Sequence, residues 1–242
     1  MPVWGIAASV VVLVVLGGIA LVASSQQVQA DYTAQPRPNV TFIPKGTVEA
    51  PAPPTVLFIG DSYSAGAGAS APELRWTTLA SAEHGWSEQN RALGGTGYVK
   101  TAGPEGCGLD YCGTYREVID GVTDTSPDIV IVSGGRNDGQ PAATYAQTVA
   151  DTIAAVRAKW PETQIVVTSP IWDDDAPPRW FGDVIAATQS AAASSGATWL
   201  DLGQPLAGDA ALVVEDSIHP SDAGYAAIAA AFTQAWNVAG LG

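Results

Sequence analysis

From Thr55 onward, short runs of β-branched and other apolar residues alternate with longer stretches whose apolar positions recur at helical spacing. Val56–Ile59 predicts a buried strand that stops abruptly at Gly60-Asp-Ser62, and Pro72–His84 predicts a helix with Leu74, Thr78 and Leu79 on one face. A less apolar strand follows over Ser87–Leu93 and leads into Gly94-Gly-Thr-Gly-Tyr98. Asp128–Ser133 is the most continuous strand and runs into Gly134-Gly-Arg-Asn-Asp138.

The same alternation continues to the end of the chain. Ala142–Trp160 predicts a helix with Tyr145, Val149, Ile153 and Val156 on one stripe, and Gln164–Thr168 a fourth strand. A helix over Arg179–Ser195 ends at Gly196, and Thr198–Leu202 supplies a fifth strand. The last helix runs from about Ser221 to Val238, with Ser221 as its N-cap. Strands that are apolar throughout, separated by helices, indicate an α/β domain whose parallel sheet is covered on both faces.

The chain before Thr55 has a different character. Val3–Ala23 carries no charged side chain, and 21 residues at about 1.5 Å per residue match a hydrocarbon core of about 30 Å. A basic start is missing and the apolar run is long for a secretory signal, which favours an uncleaved signal anchor, although Val28-Gln-Ala30 has the small residues of a cleavage site. Residues 25–54 are polar and then Pro-rich, the composition of a semi-extended stalk. The expected organisation is therefore a signal anchor or signal peptide over 1–24, a Pro-rich linker over 25–54 and one globular domain over 55–242, held outside the cytoplasm.

Charge and cysteine content narrow the partners. A formal net charge of −14 with 10 Lys and Arg excludes the clustered basic surface that nucleic acid requires, and disfavours adsorption to anionic headgroups. Cys107 and Cys112 are the only two cysteines, in a loop flanked by glycines. A disulfide in an oxidising compartment is the reading that fits export, with two reduced core thiols as the alternative. Neither histidine lies near them, so no zinc site is expected.

In open α/β sheets ligands bind beyond the carboxyl ends of the strands, which is where Ser62 falls. A nucleophilic serine needs a base, a group that orients the base, and donors for the oxyanion. Of the two histidines, His84 ends a helix beside Gly85, a structural place, whereas His219 follows the last strand with Asp216 three residues before it. Gly94-Gly95 can bring backbone N–H groups against a ligand, and Asn137 carries an amide that donates without acting as a base. Each motif alone is an ordinary turn or cap; together they fall at the carboxyl ends of successive strands.

The Gly60-Asp-Ser62, Asn90-x-x-x-x-Gly95, Gly134-x-x-Asn137 and Asp216-x-x-His219 blocks resemble, in order, the four signature blocks of the SGNH hydrolases, also called GDSL esterases and lipases. The resemblance spans almost all of residues 55–220. It implies a flavodoxin-like three-layer α/β/α sandwich with a five-stranded parallel sheet in the order 2-1-3-4-5. It also implies Ser62 as nucleophile, His219 as base, Asp216 as its orienter, and an oxyanion hole made of the Ser62 and Gly95 N–H groups with the Asn137 amide. No cofactor or metal is implied. Tyr63 stands where the name-giving leucine would be.

Around this constellation, Trp172 and Trp180 border the expected cleft, as rim packing or as flat faces for a sugar or acyl group. Asp173–Asp175 is expected to be a solvated loop, Arg136 and Asp138 to hold their own turn, and 98–127 to form a long loop insertion that carries the cysteines. The substrate expected is a small-molecule, carbohydrate or lipid ester, with membrane contact through the N-terminal helix if it is uncleaved. An acyltransferase with the same triad, or a non-catalytic binding module on the same fold, are the alternatives.

Overall fold

The computed structural model describes residues 51–242, so the expected signal anchor and most of the expected linker lie outside the described residues. Five parallel strands form one sheet: β1 (Thr55–Gly60), β2 (Ser87–Asn90), β3 (Ile129–Ser133), β4 (Gln164–Thr168) and β5 (Thr198–Leu200). Their order is β2-β1-β3-β4-β5. Between the strands lie the helices α1 (Ser62–Ala65), α2 (Trp76–His84), α3 (Pro104–Cys107), α4 (Tyr115–Gly121), α5 (Tyr145–Lys159) and α6 (Phe181–Ser194), with α7 (Asp222–Val238) last.

Side chains alternate across a strand, and here both sides are apolar, so both faces are buried. Leu57, Ile59, Val130, Val132, Ile165 and Val167 pack on one face against Tyr115 and Ile119 of α4, Val149, Ile153 and Val156 of α5, and Val184 of α6. Val56, Phe58, Ile129, Ile131, Val166 and Leu200 pack on the other against Trp76 and Ala80 of α2 and Tyr225, Ile228, Phe232 and Trp236 of α7. β1 and β3 carry the strongest apolar runs and lie inside the sheet. β2, with the sequence Ser-Glu-Gln-Asn, lies at an edge where polar side chains meet solvent.

Element boundaries differ from the sequence reading where local chemistry intervenes. The helix expected over Pro72–His84 is divided: Pro72–Leu74 forms a 3₁₀ turn, Arg75 is extended at φ −70°, ψ 149°, and the α-helix begins at Trp76. Ser221 caps α7 as expected, its side chain accepting from the Gly224 N–H at 3.3 Å. The 98–127 stretch is more than a loop. It contains α4, opened by a capping box in which Thr114 accepts from the Glu117 N–H and Glu117 accepts from the Thr114 N–H. Tyr115 and Ile119, four residues apart, are fully buried on the sheet.

Ile119→Ala should therefore destabilise the domain by about 2–5 kcal/mol, the range for a large-to-small change in a core, as read by denaturant unfolding. A loss within the roughly 0.5 kcal/mol typical of surface substitutions would remove α4 from the core.

Candidate active site

Central strand β1 ends in a turn that leaves no room for side chains. A Cβ at Gly60 would lie 2.5 Å from the Ser133 carbonyl oxygen of β3 and 2.5 Å from Ser64 Oγ. Asp61 then caps α1, accepting from the Tyr63 N–H at 2.9 Å, and Ser62 becomes the first helical residue. A first-turn N–H has no partner within its own helix, and the Ser62 N–H has none elsewhere among the described residues. Ser62 itself is 8% exposed. Asn90 braces the turn from β2: its amide donates to the Ser64 carbonyl at 2.8 Å and accepts from the Ala92 N–H at 3.0 Å.

The Asp61 carboxyl is buried 2% exposed, with the Tyr115 hydroxyl 3.5 Å away. Burial pushes its pKa up to about 6, against the Tyr63 N–H bond and the Arg136 charge, which pull it down.

His219 and Asp216 form a pair at the other side of this edge. Asp216 Oδ2 lies 2.6 Å from His219 Nδ1, and Asp216 Oδ1 accepts from the Ile218 and His219 N–H groups at 2.9 Å each. Ser217, between them, has φ +57°, a left-handed conformation uncommon outside glycine that wraps the chain around the carboxylate. Partial burial works to raise the Asp216 pKa, but hydrogen bonds from the His219 N–H, the His219 ring and the Ile218 N–H outweigh it and hold the carboxyl at about 2. An ionised carboxylate only accepts, so the imidazole hydrogen sits on Nδ1 and Nε2 carries the free lone pair.

Four contacts draw the serine side and the histidine side together. The Tyr63 hydroxyl donates to the Ile218 carbonyl at 2.5 Å, and the Tyr63 and His219 rings are 6.2 Å apart. The Tyr225 hydroxyl of α7 donates to the Ala67 carbonyl at 2.6 Å, and Asp222 accepts from the Ser70 N–H and hydroxyl at 2.8 and 2.6 Å. No direct hydrogen bond joins Ser62 Oγ to the His219 ring among the described residues; such bonds are commonly long before substrate binds and tighten on the reaction path.

The expected oxyanion donors come from the turns after β2 and β3. Gly95 is at φ +72°, and its N–H has no partner among the described residues. Asn137 Nδ2 donates to the Thr96 carbonyl at 3.0 Å, which leaves the second hydrogen of the amide available. Gly95 and Asn137 share a cavity of about 460 Å³ with Lys100, Thr101, Ala102 and Glu105. Asp138 fixes this region by accepting from the Tyr98, Val99 and Lys100 N–H groups at 2.9–3.0 Å. Cys107 and Cys112 are joined by a disulfide, and Gly106, just before the loop they close, packs on the Gly94-Gly95 turn: a Cβ at Gly94 would meet the Gly106 carbonyl oxygen at 2.2 Å.

Asp173, Arg136 and Asp138 depart from the sequence reading; Asp138 holds the Tyr98–Lys100 turn and not only its own. Asp173 is not solvated; it is buried and paired with Arg136 at 2.9 Å. Arg136 does more than hold its own turn, since it also donates to the Tyr63 hydroxyl. Trp172 and Trp180, by contrast, pack on each other and on Phe181, in keeping with the rim-packing alternative. His84 stacks on Trp86 at 4.5 Å, as its structural reading anticipates. The one signal in the sequence for the Arg136 contacts was Tyr63 itself, a phenol where an aliphatic side chain was expected.

Because the folded pKa of Asp61 is the higher one, the folded chain keeps this proton where the unfolded chain has lost it. The resulting stabilisation is full below about pH 4, the ordinary aspartate value, and is lost as pH rises through about 6. Asp61→Asn keeps an acceptor for the Tyr63 N–H without the charge. Its melting temperature relative to the wild type should rise between pH 4 and pH 7; a difference independent of pH would contradict the buried carboxyl.

Comparison with known proteins bears on the whole arrangement. The model of the GDSL-like lipase/acylhydrolase family matches residues 58–227. Similar solved structures include the psychrotrophic esterase EstA from Pseudoalteromonas sp., inhibited by monoethylphosphonate, at 17% identity and TM-score 0.61, covering 76% of this chain and 97% of that one. A family two carbohydrate esterase from Cellvibrio japonicus has 18% identity and TM-score 0.61, with 79% and 64% covered. The salicylyl-acyltransferase SsfX3 from a tetracycline biosynthetic pathway has 18% identity and TM-score 0.57, with 80% and 56% covered. None of the curated proteins matches. The likeness to these structures is one of fold, and the family match extends over most of the described domain with Ser62, Gly95, Asn137, Asp216 and His219 inside it: the chain belongs to the GDSL-like lipase/acylhydrolase family.

Proposed function

We propose that this chain is an extracytoplasmic serine esterase that hydrolyses short acyl or acetyl esters through Ser62, His219 and Asp216. The observation that carries the reading is the Asp216–His219 pair, set by a 2.6 Å contact on Nδ1 and held to the nucleophile turn by Tyr63. In the reaction, Ser62 Oγ attacks the acyl carbon and its proton passes to His219 Nε2. The carbonyl oxygen, now an oxyanion, is held by the Ser62 and Gly95 N–H groups and the Asn137 amide. The ester C–O bond breaks as His219 returns the proton to the leaving alcohol. Water, deprotonated by the same imidazole, then attacks the Ser62 ester and releases the acid.

The short-acyl preference is supported by the cavity beside the oxyanion donors. Its lining is glycine, alanine, threonine, asparagine, lysine and glutamate, without a large aliphatic or aromatic wall for a long chain. The carbohydrate esterase among the similar structures favours a sugar ester as the natural class. Export is supported by the Cys107–Cys112 disulfide together with the apolar Val3–Ala23 run, and membrane anchoring is preferred over signal cleavage. Transfer of the acyl group to an acceptor alcohol instead of water is the second reading, favoured by the shared fold of the acyltransferase.

Turnover of p-nitrophenyl esters of increasing chain length should be greatest at acetate and fall with length, and Ser62→Ala should abolish it. Asn137→Ala should lower kcat by about 10²–10³-fold, the usual loss for one oxyanion donor, with circular dichroism unchanged. Wild-type kcat in Asn137→Ala would remove the amide from the hole, and no turnover of any ester by the wild type would favour a non-catalytic module. Membrane fractionation should find the chain with the membrane; soluble protein beginning near Asp31 would contradict the anchor.

A further inference from the structure

One polar side chain that joins loops around Ser62 is not among the reacting groups. Arg136 lies in the 3₁₀ turn after β3, one residue before Asn137, with its side chain 9% exposed. Nη2 pairs with Asp173 Oδ2 at 2.9 Å in the segment after β4, and Nη1 donates to the Tyr63 hydroxyl. The guanidinium is 4.8 Å from the centre of the Tyr63 ring and 4.5 Å from that of Trp172. Its charge is therefore compensated on one edge and faced by aromatic rings, the setting in which a rigid, planar cation holds its geometry.

The contact passes onward. A phenol oxygen that accepts from a guanidinium keeps its own hydrogen to donate, and Tyr63 gives it to the carbonyl of Ile218, the residue before His219. That carbonyl belongs to a segment without sheet support. Asp216, Ser217 and Ile218 are exposed and no strand of the sheet carries them; around them the chain is held by the isolated bridge Val213↔Pro220, by the Asp216 bonds within its own turn, and by close packing of His219 and Pro220 on Gly68.

We propose that Arg136 and Tyr63 are positioning residues that fix the His219 loop against Ser62 through the Ile218 carbonyl. This rests on His219 acting as the base for Ser62. One guanidinium thereby sets three turns relative to one another: the nucleophile turn through Tyr63, the base loop through Ile218, and the segment after β4 through Asp173. A leucine at position 63 has no hydroxyl to link the base loop to the cation.

Tyr63→Phe is the direct test, because it keeps the ring and removes only the hydroxyl. It should lower kcat by roughly 10–100-fold, the loss that follows a misplacement of about 1 Å, with KM and melting temperature little changed. Arg136→Lys keeps a charge opposite Asp173 but lacks the forked donors, so its loss should be intermediate. The chain has two histidines, so imidazole resonances of the full-length protein report the loop directly. His84, stacked on Trp86, serves as internal reference. In Tyr63→Phe the His219 signals should shift and broaden while those of His84 stay. An unchanged His219 spectrum, or an unchanged kcat, overturns the proposal. Absence of turnover in the wild type would instead be a failure of the esterase reading, and the spectrum separates the two.

Discussion

Everything at this site depends on how closely β1 and β3 approach at the carboxyl edge of the sheet. Gly60 and Ser133 are neighbours in register, and nothing larger than hydrogen fits on the Gly60 Cα. The chain must therefore turn sharply after Ile59, and the turn is closed by a buried carboxyl at Asp61 that caps the short helix begun by Ser62. The serine is held at the rim by the core of the fold and not by a loop free to adjust. Parallel strands on both sides, with helices over both faces, make this rim the one place where the backbone groups of several turns converge.

The rest of the constellation reaches that rim on less regular structure, and polar cross-links do the work that a sheet ladder does for β1. Asn90 ties the end of β2 to α1, Asp138 gathers three N–H groups of the Tyr98–Lys100 turn, and Asp222 and Tyr225 sew the start of α7 to the segment after Ser62. Gly106, beside the disulfide, braces the Gly94-Gly95 turn by backbone packing. Most of these links run between side chain and backbone, so they set the spacing between turns, which is what preorganised catalysis requires.

Much of this was legible in the sequence, for identifiable reasons. β1, β3 and β4 announced themselves through runs rich in β-branched residues such as Ile129–Val132, whereas β2, Ser-Glu-Gln-Asn, gave a faint signal; the blocks at Ser62, Gly95, Asn137 and Asp216–His219 fell after the strands in family order. Less legible was whatever depended on a partner distant in sequence. Asp173 looked like one of three solvated acids, because the charge that buries it, Arg136, is 37 residues away. Tyr115 and Ile119 sat in a stretch too rich in glycine and polar residues to signal a core helix. Tyr63 was visible as a departure from the family pattern, but its meaning required the Ile218 carbonyl 155 residues later. The split at Arg75 is a local matter of a proline-led 3₁₀ turn, which helical spacing alone does not reveal.

The central claim is that Ser62 is a nucleophile made reactive by its surroundings. Reaction with a fluorophosphonate, followed by mass spectrometry of the digested protein, measures this directly. The account predicts one adduct, on the peptide containing Ser62 and on its hydroxyl, absent from Ser62→Ala and strongly slowed in His219→Ala. An unlabelled wild-type protein, or an adduct on any other serine, would contradict it.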